Sequence, residues 1–139
     1  MMLTLPVALS GAVALLILSP KRTEKKEPLF IPVLGEDELP KQGVKRIELS
    51  VNTGKEGQHT VTHRIFAVRN KGKLFILSSR CTHLGCLVEW SRSRKRFLCP
   101  CHGGTYDMEG IVAGGPPPRP LSRLPVAIRN GRVYVGIAV

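Results

Sequence analysis

Two short stretches, CTHLGC at residues 81–86 and CPCHGG at residues 99–104, hold all four cysteines and two of the four histidines of this chain. Thiols and imidazoles are the side chains that bind soft and borderline metal ions. Twelve residues separate the two stretches, which are called the first and second Cys/His boxes below. Their spacing decides both the fold and the chemistry that the sequence predicts.

The bulk composition fits one compact domain with one extra segment, at 139 residues and 42% hydrophobic. The 14 glycines and 11 prolines favour a fold rich in strands and loops. A formal net charge of +11 indicates first a solvated basic surface, and next an anionic membrane face or acidic partner proteins. Nucleic acid is not expected as a partner, because only 5% of the residues are aromatic and no recognition module is present.

The N-terminal segment predicts a membrane anchor. Residues 3–19 carry no charge, and as a helix they would span about 25 Å, slightly less than a hydrocarbon core of about 30 Å. A signal peptide is disfavoured, because no basic region precedes the apolar run and no small-residue cleavage motif precedes Pro20. We therefore expect residues 1–19 to be one transmembrane helix and residues 20–28, which are charged and bounded by prolines, to be a flexible tether.

From residue 29 to residue 139 the chain reads as short strands separated by turns. Turn signals stand at NTGKEGQ (52–58), at NKGK (70–73) and at the Asn-Gly pair 130–131. The predicted strands cover residues 29–34, 44–51, 60–70, 74–79, 96–99 and 124–139. This pattern predicts an all-β domain, an antiparallel sandwich or barrel with both boxes on connecting loops.

Three kinds of site compete for the two boxes. Four cysteines permit two structural disulfides in three pairings, but His83 and His102 would then have no role. A zinc site usually spaces its ligands by two to four residues, whereas a single residue separates Cys81 from His83, and two cysteines would be left over. Neither kind of site uses the whole pattern.

A two-iron cluster with mixed ligands does use the whole pattern. Cys81 and His83 lie two apart on extended backbone and point to the same side, and Cys99 and His102 can converge across one tight turn. Two thiolates on one iron and two imidazoles on the other describe a Rieske-type 2Fe–2S centre. The two remaining cysteines are free to join the loops covalently.

CTHLGC followed by CPCHGG resembles the paired cluster-binding boxes of Rieske iron–sulfur proteins, in particular those of the quinol-oxidising cytochrome bc-type branch. The resemblance covers residues 29–139. It is specific, because the ferredoxin and ring-hydroxylase branches usually lack the two extra cysteines. It implies three pairs: Cys81 and Cys99 on one iron, His83 and His102 on the other, and Cys86 with Cys101 in a disulfide.

The resemblance implies roles for residues around the boxes as well. Tyr106 matches the tyrosine that hydrogen-bonds a ligand sulfur, and Leu84 and Gly85 match the exposed tip that meets the quinol pocket of cytochrome b. The segment GGPPPRP (114–120) matches the proline loop, a stiff polyproline stretch that covers the cluster. The covering residues would be Gly115, Pro116 and Pro117.

Gly104 departs from the family pattern, in which a serine hydroxyl at this place often donates to a bridging sulfide. Glycine cannot donate, and hydrogen bonds to the sulfurs favour the reduced cluster. One lost bond of about 1 kcal/mol corresponds to a potential lower by roughly tens of millivolts. We therefore expect a centre suited to a low-potential quinol such as menaquinol, and a rise in potential in Gly104→Ser.

The function implied by the resemblance is that of an electron-transfer subunit of a membrane quinol:cytochrome c oxidoreductase, which is not catalytic alone. It would take one electron and one proton from quinol beside a cytochrome b-type subunit, with His102 and His83 in the proton chemistry, and pass the electron to a c-type cytochrome. The main alternative is the small Rieske subunit of a molybdenum oxidase such as arsenite oxidase. A remote alternative is a zinc-binding interaction module.

Two sequence signals disagree about which side of the membrane carries the head domain. Lys21, Arg22, Lys25 and Lys26 follow the apolar run and would keep the head in the cytoplasm by the positive-inside rule. A disulfide and a quinol site both favour the outer, oxidising face. We give the boxes more weight and expect the head on the outer (periplasmic, positive) face.

The basic run Arg-Ser-Arg-Lys-Arg at residues 92–96 lies between the two boxes. Charged runs of this kind are usually solvated turns, and we expect a hairpin turn here. The sharper alternative is a docking patch for an acidic cytochrome, since opposite charges steer the encounter of two proteins.

Overall fold

A computed structural model describes residues 27–53 and 59–137, together with their secondary structure. Within these residues the regular structure consists of strands and one 3-10 turn, Glu36–Glu38. The strands are β1 (Leu29–Gly35), β2 (Gly43–Thr53), β3 (His59–Asn70), β4 (Lys73–Ser78), β5 (Glu89–Ser91), β6 (Arg96–Leu98), β7 (Thr105–Tyr106), β8 (Val112–Gly114), β9 (Arg123–Leu124), β10 (Val126–Arg129) and β11 (Arg132–Ile137).

The predicted membrane helix at residues 1–19 and most of the predicted tether at 20–28 lie outside the described residues. Across 27–53 and 59–137, no helix has the length and apolar character needed to cross a membrane. The predicted turn at 52–58 also falls largely outside the described part of the chain.

The strands form three antiparallel sheets, so the predicted all-β antiparallel fold is confirmed. The first sheet has the order β1-β11-β10, and the second has the order β2-β3-β4-β9. The third, β5-β6-β7-β8, is built from short strands and carries the second Cys/His box between β6 and β7. The first box lies between β4 of the second sheet and β5 of the third, so it connects those two sheets.

Strands β3 and β4 form a middle layer with a core on each side. Successive side chains of a strand point to opposite faces. Accordingly Ile65 and Ala67 pack into one core with residues of β11, while Phe66 and Val68 pack into the other core with residues of the third sheet. Burial on both faces explains why this part of β3 reads as an unbroken apolar run rather than as an alternating one.

An aromatic stack joins the third sheet to the middle layer. The ring of Phe97 lies 4.8 Å from the ring of Phe66 and 4.8 Å from that of Trp90, measured between centroids. Phe97 is fully buried and stands two residues before Cys99. The strand that leads into the second box is therefore fixed by tight packing immediately before its first cysteine.

The predicted two-residue turns are confirmed by their backbone angles. Asn130 and Gly131 have φ of 49° and 70°, and Lys71 and Gly72 have φ of 48° and 77°. Positive φ at both central residues is the type I′ geometry that matches the twist of a hairpin. Residues 92–95 of the basic run likewise form the β5–β6 hairpin turn, as predicted, and Arg96 begins β6.

Several short strands were merged or not predicted. The predicted hairpin at 124–139 turns at Asn130-Gly131 as expected, but its first strand is divided by Pro125, which cannot donate a ladder hydrogen bond, into β9 and β10. Strands β5, β7 and β8, each of two or three residues, were not predicted.

Candidate metal centre

The first box is a tight loop held by its own backbone. The N–H of Cys81 donates to the carbonyl of Cys86 at 2.8 Å, and the N–H of Gly85 donates to the carbonyl of Cys81 at 2.9 Å. Arg80 and Leu87 form an isolated bridge at the base of the loop. Gly85 has φ of 78°, the left-handed conformation that favours glycine. The position of Cys81 is thus fixed by its main chain.

The second box repeats this construction after β6. The N–H of Cys99 donates to the carbonyl of Gly104 at 2.7 Å, across the same sequence interval of five residues as in the first box. Gly103 supplies the left-handed turn with φ of 68°. Each loop therefore begins with a cysteine whose N–H closes the loop.

A disulfide between Cys86 and Cys101 joins the two loops, as the resemblance implied, with Cα atoms 6.6 Å apart. The Sγ atom of Cys99 lies within 4.8 Å of both disulfide sulfurs. These three sulfurs do not make a metal site, because the two in the disulfide are not thiolates. The thiols that remain free are Cys81 and Cys99.

The two free thiols and two imidazoles come together at the facing loops. Cys81 and Cys99 are 3% and 4% exposed. The rings of His83 and His102 meet edge to face with centroids 4.9 Å apart. Nδ1 of His83 is buried and has no hydrogen-bond partner among the described residues, which is costly for a nitrogen that binds nothing.

This donor set fits a mixed-ligand 2Fe–2S cluster. Two buried thiols and two adjacent imidazoles are the donors that such a cluster requires, and Nδ1 of His83 is buried with no hydrogen-bond partner in the described part of the chain. Of the other histidines, His63 lies half-buried on β3, and the side chain of His59 lies outside the described residues. Neither belongs to this donor set.

Tyr106 is fully buried beside the first box. Its hydroxyl lies 3.2 Å from Sγ of Cys81 and accepts the N–H of Thr82 at 3.0 Å. The structure thus places Tyr106 next to a cysteine sulfur, where the sequence analysis expected a tyrosine contact.

The two free thiols differ in their acidity. Burial opposes ionisation of Cys81 most strongly, but hydrogen bonds from the Tyr106 hydroxyl, the His83 backbone, Cys99 and the Leu84 backbone together hold the pKa of Cys81 below its ordinary value. Burial raises the pKa of Cys99, and the nearby charge on Cys81 adds to that effect. The first box therefore offers the more readily formed thiolate.

Burial raises the pKa of Tyr106 most strongly, and the hydrogen bond to Cys81 raises it further. A raised pKa keeps the phenol protonated at neutral pH. Its hydrogen can then point toward a negatively charged sulfur, and hydrogen bonds to ionised acceptors are the stronger kind. Tyr106 is therefore equipped to stabilise negative charge on Cys81.

The proline segment packs against the second box. The backbone of Gly115 lies against the backbone of Gly104, and the ring of Pro117 occupies the space beside Gly104. Pro117 is buried, whereas Pro116 is exposed. The structure therefore brings two of the three predicted covering residues into contact with the box and leaves Pro116 at the surface.

The outer tip of the centre is exposed. Leu84 is 69% exposed, and Gly85 and His102 are also exposed, while His83 is half-buried. An apolar side chain as exposed as Leu84, next to an accessible imidazole, gives this end of the molecule a contact surface.

Thr82 was not among the residues predicted for the site. Its hydroxyl donates to the carbonyl of Arg119 at 2.6 Å and lies 3.2 Å from the hydroxyl of Tyr106. Thr82 thereby ties the first box to the segment that follows the prolines. The hydroxyl of Thr82 reaches Arg119, 37 residues away, and no local sequence signal marks that contact.

Comparison with known proteins identifies a family and two groups of relatives. The family model described as Rieske [2Fe-2S] domain matches residues 30–125. A cytochrome b6-f complex iron-sulfur subunit of Chlorobaculum tepidum is 41% identical over 75 residues, which cover 54% of this chain and 41% of that protein. The subunit of the same name from Gloeobacter violaceus is 33% identical over 96 residues, which cover 69% of this chain and 49% of that protein.

Among solved structures, the cyanobacterial plasma membrane Rieske protein of Synechocystis is similar, with a TM-score of 0.54 and 28% identity. The alignment covers 77% of this chain and 99% of that one. The chain spans less than half the length of the two curated relatives it matches.

The disulfide generates a prediction about stability. It closes a sequence separation of 15 residues, for which the chain-entropy relation gives about 3 kcal/mol. We expect the double variant Cys86→Ser/Cys101→Ser to lose about that much free energy of unfolding in urea denaturation. Reductant should destabilise the natural chain but not the double variant. Equal stability of the two proteins would contradict the role assigned to this bond.

Proposed function

The chain belongs to the Rieske [2Fe–2S] family, and on that premise we propose that it is the electron-transfer subunit of a membrane quinol:cytochrome c oxidoreductase. The observation that carries this proposal is the pair of buried free thiols beside two contacting imidazoles, on loops joined by a disulfide. The similarity to cytochrome b6-f iron-sulfur subunits favours the quinol-oxidising branch over the small subunit of a molybdenum oxidase.

We assign the cluster ligands as Cys81 and Cys99 on one iron and His83 and His102 on the other. When bound, the 2Fe–2S cluster supplies a one-electron acceptor whose imidazole ligands also exchange a proton. Tyr106 stabilises negative charge at Cys81 through its hydroxyl, which lies 3.2 Å from the sulfur. The low exposure of both thiols keeps water from the sulfurs.

His102 is the imidazole that meets the quinol hydroxyl in this proposal, because it is exposed whereas His83 is half-buried. Leu84 and Gly85 provide the apolar contact with the quinol pocket of a cytochrome b-type subunit. An exposed leucine gains free energy when such a pocket removes it from water. The protein thus takes one electron and one proton from quinol and passes the electron to a c-type cytochrome.

Menaquinol is the quinol we propose, since Gly104 has no side chain that could donate a hydrogen bond and raise the potential. For the placement of the protein, we propose an anchor at residues 1–19, a tether at 20–28 and the Rieske domain at 29–139. The head lies on the outer, periplasmic face in this arrangement. Support comes from the uncharged run at 3–19 and from the disulfide, which persists in oxidising compartments.

Electron paramagnetic resonance of the dithionite-reduced full chain tests the proposed function. We expect the spectrum of a mixed-ligand 2Fe–2S cluster, together with iron and acid-labile sulfide in equal amounts. His83→Ala and His102→Ala should each abolish that spectrum, because each removes a nitrogen ligand.

His63→Ala is the matched control for these variants. His63 stands outside both boxes on β3, and we expect its removal to leave the spectrum unchanged. A zinc-containing protein without the iron signal, or a normal signal in His102→Ala, would overturn the ligand assignment.

The basic hairpin at 92–96 supports docking of an acidic cytochrome. Arg92, Arg94, Lys95 and Arg96 are all exposed, and within the described residues none of them forms an ion pair. The turn is fixed, since the N–H of Arg94 donates to Oγ of Ser91 at 3.3 Å. Arg92, Arg94 and Lys95 in the turn and Arg96 at the start of β6 present a local positive field to a partner.

Charge reversal tests this docking site. Arg92→Glu/Arg94→Glu should slow electron transfer to an acidic c-type cytochrome at low ionic strength and have little effect at high ionic strength, where salt screens exposed charges. Stopped-flow mixing of the reduced protein with the oxidised cytochrome measures the rate. The matched control is Lys71→Glu/Lys73→Glu, which makes the same change in net charge on the exposed β3–β4 turn. Equal slowing by both pairs would show that only the overall charge matters.

A further inference from the structure

Gly104 and Pro117 share one packing position. A Cβ atom placed on Gly104 would lie 2.6 Å from Cγ and 3.0 Å from Cδ of Pro117, closer than carbon atoms pack. Gly104 is not among the residues with positive φ, so its backbone does not itself demand glycine. The reason for glycine at position 104 is steric, because the Pro117 ring occupies the space that a side chain there would need.

Pro117 is the inward-facing member of the three consecutive prolines. It is buried, whereas Pro116 and Pro118 are exposed. Gly115 allows the proline segment to lie equally close to the second box: a Cβ there would lie 2.8 Å from Cα of Gly104 and 2.9 Å from the carbonyl oxygen of Gly103. The proline segment therefore lies directly on the backbone of the second box.

This contact extends to a proposed ligand. The carbonyl of Gly104 accepts the N–H of Cys99 at 2.7 Å. The Cβ position of Gly104 lies 3.5 Å from Cβ of Cys99 and 2.6 Å from Cγ of Pro117, so the proline ring and the cysteine border the same space. Cys99 is only 4% exposed.

We propose that Pro117 and Gly104 form a reciprocal steric pair that excludes water from Cys99 and so holds the potential of the centre low. This inference rests on the proposed function. Reduction places extra negative charge in the site, and water stabilises that charge more than a proline ring does. Opening the contact from either side therefore raises the potential. Pro117 acts as a positioning residue, through the packing around Cys99.

The steric pair changes how a serine at position 104 must be interpreted. In Gly104→Ser the new Cβ collides with the Pro117 ring, so a rise in potential would combine the new hydroxyl with displacement of the proline segment. Gly104→Ala carries the same Cβ without a hydroxyl. It isolates the steric effect from the effect of a hydrogen bond.

The test is a double-mutant cycle on the full chain with its cluster, using Gly104→Ala, Pro117→Ala and the double variant. We expect each single variant to lower the melting temperature and raise the reduction potential, the first by collision and the second by opening a gap. In the double variant the alanine methyl at 104 fills the space that the ring leaves. We expect it to recover at least half of both shifts.

Two control variants account for effects on the unfolded chain, which glycine and proline substitutions also change. In Gly114→Ala the new Cβ meets only the Thr105 hydroxyl, at 3.2 Å, and Pro118→Ala changes an exposed proline. This pair should show small, additive shifts. Additive losses in the Gly104→Ala/Pro117→Ala cycle, or a Gly104→Ala protein with unchanged potential, would overturn the steric pair.

Two further outcomes are decisive. If Gly104→Ala alone does not accumulate as folded protein, recovery of folded protein by adding Pro117→Ala supports the pair, and failure to recover overturns it. If the natural chain lacks the mixed-ligand iron signal, the proposed function fails. The melting temperatures of the same variants still report on the packing.

Discussion

The Cys86–Cys101 disulfide fixes the separation of the two box loops, and the centre depends on that separation. The first box joins β4 of the middle layer to β5 of the third sheet, and the second joins β6 to β7. The β5–β6 pairing brings the end of the first box near the start of the second, but no ladder within the described residues pairs the two loops themselves. The bond therefore holds the thiol and imidazole of each loop near those of the other, while the Phe66–Phe97 contact holds the sheets beneath them.

Three different forces close the shell around the centre. A covalent bond joins the two boxes, and hydrogen bonds run from Tyr106 through Thr82 to the carbonyl of Arg119. Steric contact then seats Pro117 on Gly104. Because each force acts on a different pair of segments, the two boxes and the proline segment are fixed relative to one another, and the thiols remain buried although the imidazole tip is exposed.

The features that could be predicted from the sequence are those that local chemistry determines. The Asn-Gly turn at 130–131 and the Lys-Gly turn at 71–72 were predictable because positive φ restricts the residues that can stand there. The paired boxes were predictable because few sites need two cysteines and two histidines at such short spacing. Contacts between distant segments could not be predicted from local chemistry: nothing local to Thr82 points to Arg119, and the contact of the proline segment with the second box was expected only through the family resemblance. Glycine at 104 was read as a missing hydrogen-bond donor, whereas the structure shows that a proline ring occupies the space of its side chain.

The central claim is that two imidazole nitrogens bind one iron while two cysteine sulfurs bind the other. Pulsed electron paramagnetic resonance on reduced protein carrying ¹⁵N-labelled histidine measures this most directly. The account predicts two strongly coupled, inequivalent nitrogens, one from His83 and one from His102. A spectrum with no strongly coupled nitrogen, or with one only, would contradict it.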